Sequence, residues 1–117
     1  MHTLVVAKPG RLRDSLLLLL TTILKLAKVD HVDDGPSLMR QIQQQPPDLI
    51  LMDSDLEHNG SLEALQALKA KAPLIPCLVI VSNSRQQSMA RNAGADGMLL
   101  RGFSSMELAG EIGRLMQ

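Results

Sequence analysis

The sequence predicts one α/β domain over residues 1–117, a doubly wound parallel sheet of five strands that alternate with five helices. Short, uniformly apolar runs recur along the chain, as in strands that are buried on both faces. Segments with helical periodicity separate these runs at short spacing. Because connections between parallel strands are right-handed, we expect helices on both faces of the sheet.

The first two predicted strands flank a long leucine-rich helix. Strand one covers Leu4 to Ala7, helix one covers Leu12 to Lys28, and a poorer strand two covers Val29 to Asp33, near an edge of the sheet. Leu18 falls among the polar positions of the helix and is interpreted as a solitary exposed leucine. The positions predicted to face the core are Leu12, Leu16, Leu19, Leu20, Ile23, Leu24 and Ala27.

The middle of the chain gives two helices around the central strand. Ser37 is the predicted cap of helix two, which runs to about Gln45. The segment from Pro47 to Asp53 is an apolar strand that ends in a carboxylate, and a turn at Asn59 leads into helix three from Leu62 to Lys71. The predicted inward positions are Leu38, Ile42, Leu62, Leu65 and Leu68.

The last third repeats the alternation. Cys77 to Val81 is strand four, a helix capped at Ser84 ends at Gly94, and Asp96 to Leu100 is strand five. Ser104 and Glu107 have the spacing of a capping box that opens the last helix. The positions predicted to be buried in this helix are Met106, Leu108, Ile112 and Leu115.

Composition excludes several classes of function. Twelve basic and twelve acidic residues cancel, so no general field attracts nucleic acid or an anionic membrane. The one aromatic residue, Phe103, leaves almost no means of stacking on bases. No basic leader precedes the first apolar run, the Leu16–Leu20 run is far short of the ~20 residues that span a bilayer, and Cys77 is expected as a buried thiol. We therefore expect a cytoplasmic protein.

Polar residues follow the strands where each apolar run stops. Strand one ends in Ala7 and Lys8, strand three in Asp53, strand four in Ser82 and strand five in Arg101. The carboxyl ends of parallel strands share one edge of a sheet, and ligands bind there in open α/β folds. We expect a carboxylate, a hydroxyl and two cations to meet at this edge.

From Thr3 to Met116 the chain resembles the receiver domain of bacterial two-component response regulators. The resemblance is carried, in order and at matching spacing, by the segments 47–53, 62–65 and 93–101, the last of which most resembles receivers attached to helix-turn-helix DNA-binding domains. It implies a flavodoxin-like fold with strand order 2-1-3-4-5. It also implies a role in two-component signal transduction.

The resemblance implies a chemistry for the strand ends. Asp53 matches the aspartate that accepts a phosphoryl group from a histidine kinase, and Ser82 and Arg101 match the positions that contact the acylphosphate. In the family an acidic pair after strand one helps to bind Mg²⁺, together with the acceptor carboxylate and the backbone carbonyl at the position of Asp55.

This sequence departs from that pattern around the acceptor. The departures are Ala7 and Lys8 for the acidic pair, Arg101 for the family's lysine, Gly102 for its following proline, Met98 for the switch aromatic, and Glu57 for a proline. Mg²⁺ requires hard oxygen ligands, commonly carboxylates and waters. We therefore expect no metal or other cofactor, and if Mg²⁺ binds at all, Asp53 and Asp55 are its side-chain ligands.

One hypothesis follows for the acid at the end of strand three. The Lys8 ammonium takes roughly the place of the metal and forms an ion pair with Asp53, directly or through water. The alternative is a Lys8 side chain extended into solvent. Asp55 is interpreted as a solvated loop residue, although it, Asp33 or Asp34 has the means to add a second carboxylate. Met98 is interpreted as packing.

Three functions remain open. The first is a degenerate receiver that is not an enzyme and acts through protein contacts with a histidine kinase, an output domain or another regulator. It would dimerise through its last two helices, or its first and last helices, without touching nucleic acid or membrane. The second is a working phosphoacceptor at Asp53 that requires Mg²⁺ and controls a DNA-binding output. The third is an anion sensor that uses Lys8 and Arg101.

Overall fold

The structure is a computed structural model that describes residues 1–23, 28–56 and 60–117. The strands are β1 (His2–Val6), β2 (Lys28–Val32), β3 (Leu49–Asp53), β4 (Cys77–Val81) and β5 (Gly97–Leu100). The helices are α1 (Arg11–Ile23), α2 (Gly35–Gln44), α3 (Gly60–Lys71), α4 (Ser84–Asn92) and α5 (Ser105–Leu115). The strands pair in parallel in the order β2-β1-β3-β4-β5, which confirms the predicted fold class and strand order.

The sheet separates two hydrophobic cores. One core packs α2, α3 and α4 against one face of the sheet, with Leu38, Leu65 and Ala90 among its buried residues. The other packs α1 and α5 against the opposite face, with Leu16 and Leu108 buried. Because helices cover both faces, every residue of β1, β3 and β4 is buried, and this explains why their sequences are apolar without alternation.

Several element boundaries differ from the prediction. Lys28, predicted to end helix one, instead begins β2, whereas Leu24, Ala27 and Asn59 lie outside the described residues. The exposed position of Leu18 is confirmed at 71%. Among the described residues, no helix is long and apolar enough to cross a membrane.

Two helix caps were predicted at the wrong residue. Asp34, not Ser37, caps α2, and its carboxylate accepts a hydrogen bond from the Ser37 backbone N–H at 2.8 Å. Hydrogen bonding to the Ser37 side chain, and then to its backbone N–H, lowers the pKa of Asp34. Asn83, not Ser84, caps α4 by accepting from the Gln86 N–H at 2.9 Å. The short side chains of Asp and Asn reach the second or third N–H of a helix well. In both helices they therefore form the cap in place of the nearby serine.

The last helix shows one correct and one wrong prediction. The Ser104–Glu107 capping box is present, and Leu108 and Ile112 are buried. Met106 is 83% exposed because it lies about 160° around the helix from Leu108, on the side away from the sheet.

Candidate functional site

Three of the predicted site residues meet at the carboxyl edge of the sheet. Asp53 is the last residue of β3, while Ser82 and Arg101 immediately follow β4 and β5. β4 lies between β3 and β5, so the Arg101 side chain has to cross it to reach Asp53. The length of arginine makes this contact possible.

Arg101 bridges two carboxylates and a hydroxyl. Its Nη2 donates to Asp53 Oδ1 at 2.7 Å and to Asp55 Oδ2 at 2.6 Å. Its Nε donates to Ser82 Oγ at 3.1 Å. A planar guanidinium has several donors in a fixed arrangement, so one side chain holds all three partners together.

Asp53 is the buried member of this cluster. Its side chain is 4% exposed, compared with 37% for Arg101 and 41% for Asp55. Asp53 Oδ1 also accepts the Asp55 backbone N–H at 3.0 Å, so the same oxygen receives two hydrogen bonds. A buried carboxylate needs such donors, because burial without them costs several kcal/mol, roughly 2–7 even for a neutral polar group.

Gln86 and Ser54 complete the network, and the sequence analysis missed both. Gln86 Nε2 donates to Asp55 Oδ1 at 2.9 Å, and its Oε1 accepts from the Ser82 N–H at 2.6 Å and from Ser54 Oγ at 2.9 Å. Gln86 lies in the first turn of α4, so it ties that helix to the loops after β3 and β4. A glutamine soon after a strand end is a common pattern, and no signal in the sequence singled it out.

The direct ion pair predicted between Lys8 and Asp53 is not formed. The ion pairs of the described residues give Asp53 one partner, which is Arg101. Lys8 is exposed and lines a cavity between α2 and α3 with Asp33, Asp34 and Glu63. Its neighbour Ala7 is fully buried.

The other acidic residues are also engaged differently from the prediction. Asp55 lies in the loop after β3 with its side chain 41% exposed, as interpreted, but it is also held in the cluster by Arg101 and Gln86, which the interpretation did not include. Asp33 pairs with Arg13 at 2.5 Å and Asp34 caps α2, so neither adds a carboxylate to Asp53. Met98 is partly buried against the core on the α2–α4 side, in line with a packing role.

The described side chains around Asp53 offer few free oxygen ligands for a Mg²⁺ ion. The positions that supply two carboxylates in the resembled receivers hold a buried methyl group, on Ala7, and an ammonium, on Lys8. The remaining carboxylates, on Asp53 and Asp55, both accept from the same guanidinium. Within the described ranges, no three His, Cys, Asp or Glu side chains are grouped so that they hold a metal ion.

Comparison with solved structures shows the same fold in several proteins. A response regulator of Chloroflexus aurantiacus is 18% identical, with a TM-score of 0.91 and coverage of 98% of this chain and 96% of that chain. The receiver domain of a sensor histidine kinase of Pseudomonas aeruginosa, solved with magnesium in its active site cleft, is 23% identical, with a TM-score of 0.87 and the same two coverages. NtrX of Brucella abortus is 22% identical with a TM-score of 0.88, and the match covers 98% of this chain and 26% of NtrX.

Among curated proteins, the autoinducer 2 sensor kinase/phosphatase LuxQ of Vibrio vulnificus is 30% identical over 88 residues. The match covers 72% of this chain and 10% of the length of LuxQ. The family model described as response regulator receiver domain matches residues 5–112, a span that runs from the end of β1 into α5 and includes the whole cluster around Asp53. With this match, the observed strand order and the aspartate at the end of β3, the chain belongs to the response regulator receiver domains of two-component signalling.

Proposed function

We propose that this receiver transmits signals through protein contacts, with little or no Mg²⁺-dependent phosphorylation of Asp53. The observation that supports the proposal is the Arg101 guanidinium, whose Nη2 lies 2.7 Å from Asp53 and 2.6 Å from Asp55. A fixed cation already neutralises part of the charge that a divalent ion would balance.

Electrostatics explains why the Arg101 contacts disfavour Mg²⁺ binding at Asp53. Two carboxylates close together repel each other and attract a cation, and Arg101 relieves this repulsion from within the chain. A metal ion would have to displace a guanidinium that makes charge-assisted hydrogen bonds, and the positions of Ala7 and Lys8 offer no oxygen ligand in return. Weak metal binding and slow phosphoryl transfer follow, because phosphoryl transfer depends on positioned positive charge around the transferred group.

The partners of such a module are other proteins: a histidine kinase, an output domain or a further regulator. A surface is available on α4, β5 and α5, where Leu100 is 57% exposed and Met106 is 83% exposed. A dimer through this surface, or through α1 and α5, is part of the proposal, as is a place in the cytoplasm.

The first test is a titration with Mg²⁺ followed by backbone amide shifts. We expect no saturable change at Asp53 or Asp55 in the millimolar range, and no modification by acetyl phosphate or beryllofluoride. Saturable binding together with a modification that is lost in Asp53→Asn would overturn the proposal.

Restoring the ligands sharpens the test. The double variant Ala7→Asp, Lys8→Asp returns two carboxylates, and the triple variant with Arg101→Lys also removes the guanidinium bridge. We expect measurable Mg²⁺ binding in the triple variant and weaker binding in the double variant. If both fold and neither binds Mg²⁺, the identity of these ligands is not what limits the site.

A working phosphoacceptor is the second candidate, favoured by the position of Asp53 at the end of β3 and by the Ser82 hydroxyl beside Arg101. The same titration separates the two functions. The anion sensor built on Lys8 and Arg101 has less support, because Arg101 already holds two carboxylates and Lys8 lines a different cavity.

A further inference from the structure

A cleft between α3 and α4 adjoins the Asp53 cluster and shares Ser54 and Gln86 with its hydrogen-bond network. It has a volume of about 300 Å³, the lower end of the range for small-molecule sites. Its apolar wall is formed by Leu62, Leu65, Val79, Met89 and Ala90. A cleft of this size, with an apolar wall and a polar side, fits a small organic molecule.

The polar side of the cleft carries an available cation. Arg85, in the first turn of α4, lines the cleft and is exposed, and no ion pair within 4.0 Å joins it to another described residue. Ser54 and Ser61 line the same side, where Ser61 Oγ donates to the Ser54 carbonyl at 2.7 Å. A guanidinium over an apolar wall matches an organic carboxylate, which arginine binds with two parallel hydrogen bonds.

Gln86 forms part of the wall between the cleft and the acidic site. It lines the cleft and holds Asp55 Oδ1 at 2.9 Å, Ser54 Oγ at 2.9 Å and the Ser82 N–H at 2.6 Å. Ser54 also lines the cleft. Ser54 and Gln86 are therefore part of both the cleft lining and the hydrogen-bond network of the acidic site. A ligand that draws Ser54 or Gln86 toward itself changes how Asp55 is held.

We propose that the α3–α4 cleft binds a small organic carboxylate, with its acid group on Arg85 and its apolar part on Leu62, Leu65 and Met89, and that Gln86 transmits its binding to Asp55. The site is separate from the strand-end crevice. It does not depend on whether Asp53 binds Mg²⁺.

The binding test uses octanoate and phenylbutyrate below their micelle concentrations, each paired with its neutral amide, and follows methyl and amide shifts of the whole chain. We expect saturable shifts at Leu65, Val79 and Met89, with a Kd on the order of a millimolar for ligands of this size. The amides should bind about tenfold more weakly, which is the loss expected when a charged contact of ~1.4 kcal/mol is removed.

Two variants on the same helix provide the control. Arg85→Gln should weaken carboxylate binding about tenfold and remove the preference over the amide, whereas Arg91→Gln, also exposed on α4, should change neither. No saturable shift with either carboxylate overturns the proposal. An equal effect of the two arginine variants does so as well, because it shows general attraction by positive charge.

The transmission has its own measurement. In the natural chain, carboxylate binding should also shift the amides of Ser82 and Asp55, and Gln86→Ala should abolish these shifts while the shifts at Leu65 and Val79 remain. If Ser82 and Asp55 respond equally in Gln86→Ala, the proposed role of Gln86 is wrong. The effect of Arg85→Gln on carboxylate affinity then still tests whether the carboxylate binds in this cleft.

Discussion

The two ends of the sheet each carry a cation between strands, but the two cations have different partners. At the carboxyl end, the partners of Arg101 among the described residues are all side chains: Asp53, Asp55 and Ser82. At the amino end, Lys69 Nζ donates to the Ile75 carbonyl at 2.8 Å and to Asp96 Oδ2 at 2.5 Å. That carboxylate oxygen in turn accepts the Cys77 N–H at 2.8 Å.

This difference distinguishes a structural ion pair, Lys69–Asp96, from the candidate functional site around Arg101. Lys69 and Asp96 satisfy backbone groups where the α3–β4 loop enters the sheet, and the Lys69 side chain is 15% exposed. Arg101 bonds to no backbone group of the residues that the structure describes and its side chain is 37% exposed, so it is tied less closely to the backbone than Lys69 is. The Lys69 contacts at the amino end fix the backbone of a loop, whereas the Arg101 contacts at the carboxyl end fix the side chains of Asp53, Asp55 and Ser82.

The largest effect on stability is expected at the amino end. Lys69→Met keeps the aliphatic part of the side chain that lies over Gly94 but removes the donor, and it should lower the free energy of unfolding by about 2–3 kcal/mol, measured by urea denaturation. Lys71→Met, on the exposed side of the same helix, should stay within about 0.5 kcal/mol. Equal losses in the two variants would remove the distinction between the two ends.

At the carboxyl end, Arg101→Ala should cost less, about 1–2 kcal/mol, because the buried Asp53 keeps the hydrogen bond from the Asp55 backbone N–H and water can reach the more exposed Asp55 and Ser82. In the background of Asp53→Asn the same substitution should cost less than half as much, since the buried negative charge is gone. A double-mutant cycle by urea denaturation measures this coupling. Zero coupling would show that Arg101 does not hold Asp53 in solution.

Cys77 gives a pH test of the amino end. Burial raises the pKa of its thiol from 9.0 to about 12, so above pH 9 the unfolded chain loses this proton and the folded chain keeps it. Stability should therefore fall as pH rises through this window, by about 1.4 kcal/mol at pH 10 relative to Cys77→Ala. Parallel stability curves for the two proteins between pH 8 and pH 10 would contradict the burial of this thiol.

The smallest effect is expected from the glutamine that links the acidic site to α4. Gln86→Ala should lower the free energy of unfolding by about 1 kcal/mol, because its partners at Ser54, Asp55 and Ser82 all lie near water. Gln87→Ala, the next residue of the helix, should stay within about 0.5 kcal/mol. If Gln86→Ala lowers the free energy of unfolding as much as Lys69→Met does, the cluster around Asp55 has a structural role like that of the Lys69–Asp96 pair.

Much of this arrangement was predictable. Buried strands have continuous apolar runs, so β3 and β4 were located to within a residue or two, and the residues at their ends followed. The capping box of α5 has a specific spacing and was found, while the caps of α2 and α4 were displaced because several cap-forming residues stand together there. Gln86 and Lys69 were missed because their partners are distant in sequence.

The sequence by itself determined the sheet, the aspartate at the end of β3 and the loss of the acidic pair after β1, because these depend on local pattern and residue type. Only the tertiary structure decided which cation neutralises that aspartate. Lys8 follows β1, the strand next to β3, whereas Arg101 follows β5 and has to span two strand spacings of about 4.8 Å each. Lys8 nevertheless lies among other carboxylates between α2 and α3, and the longer arginine with its forked donors reaches across β4 to Asp53 and Asp55.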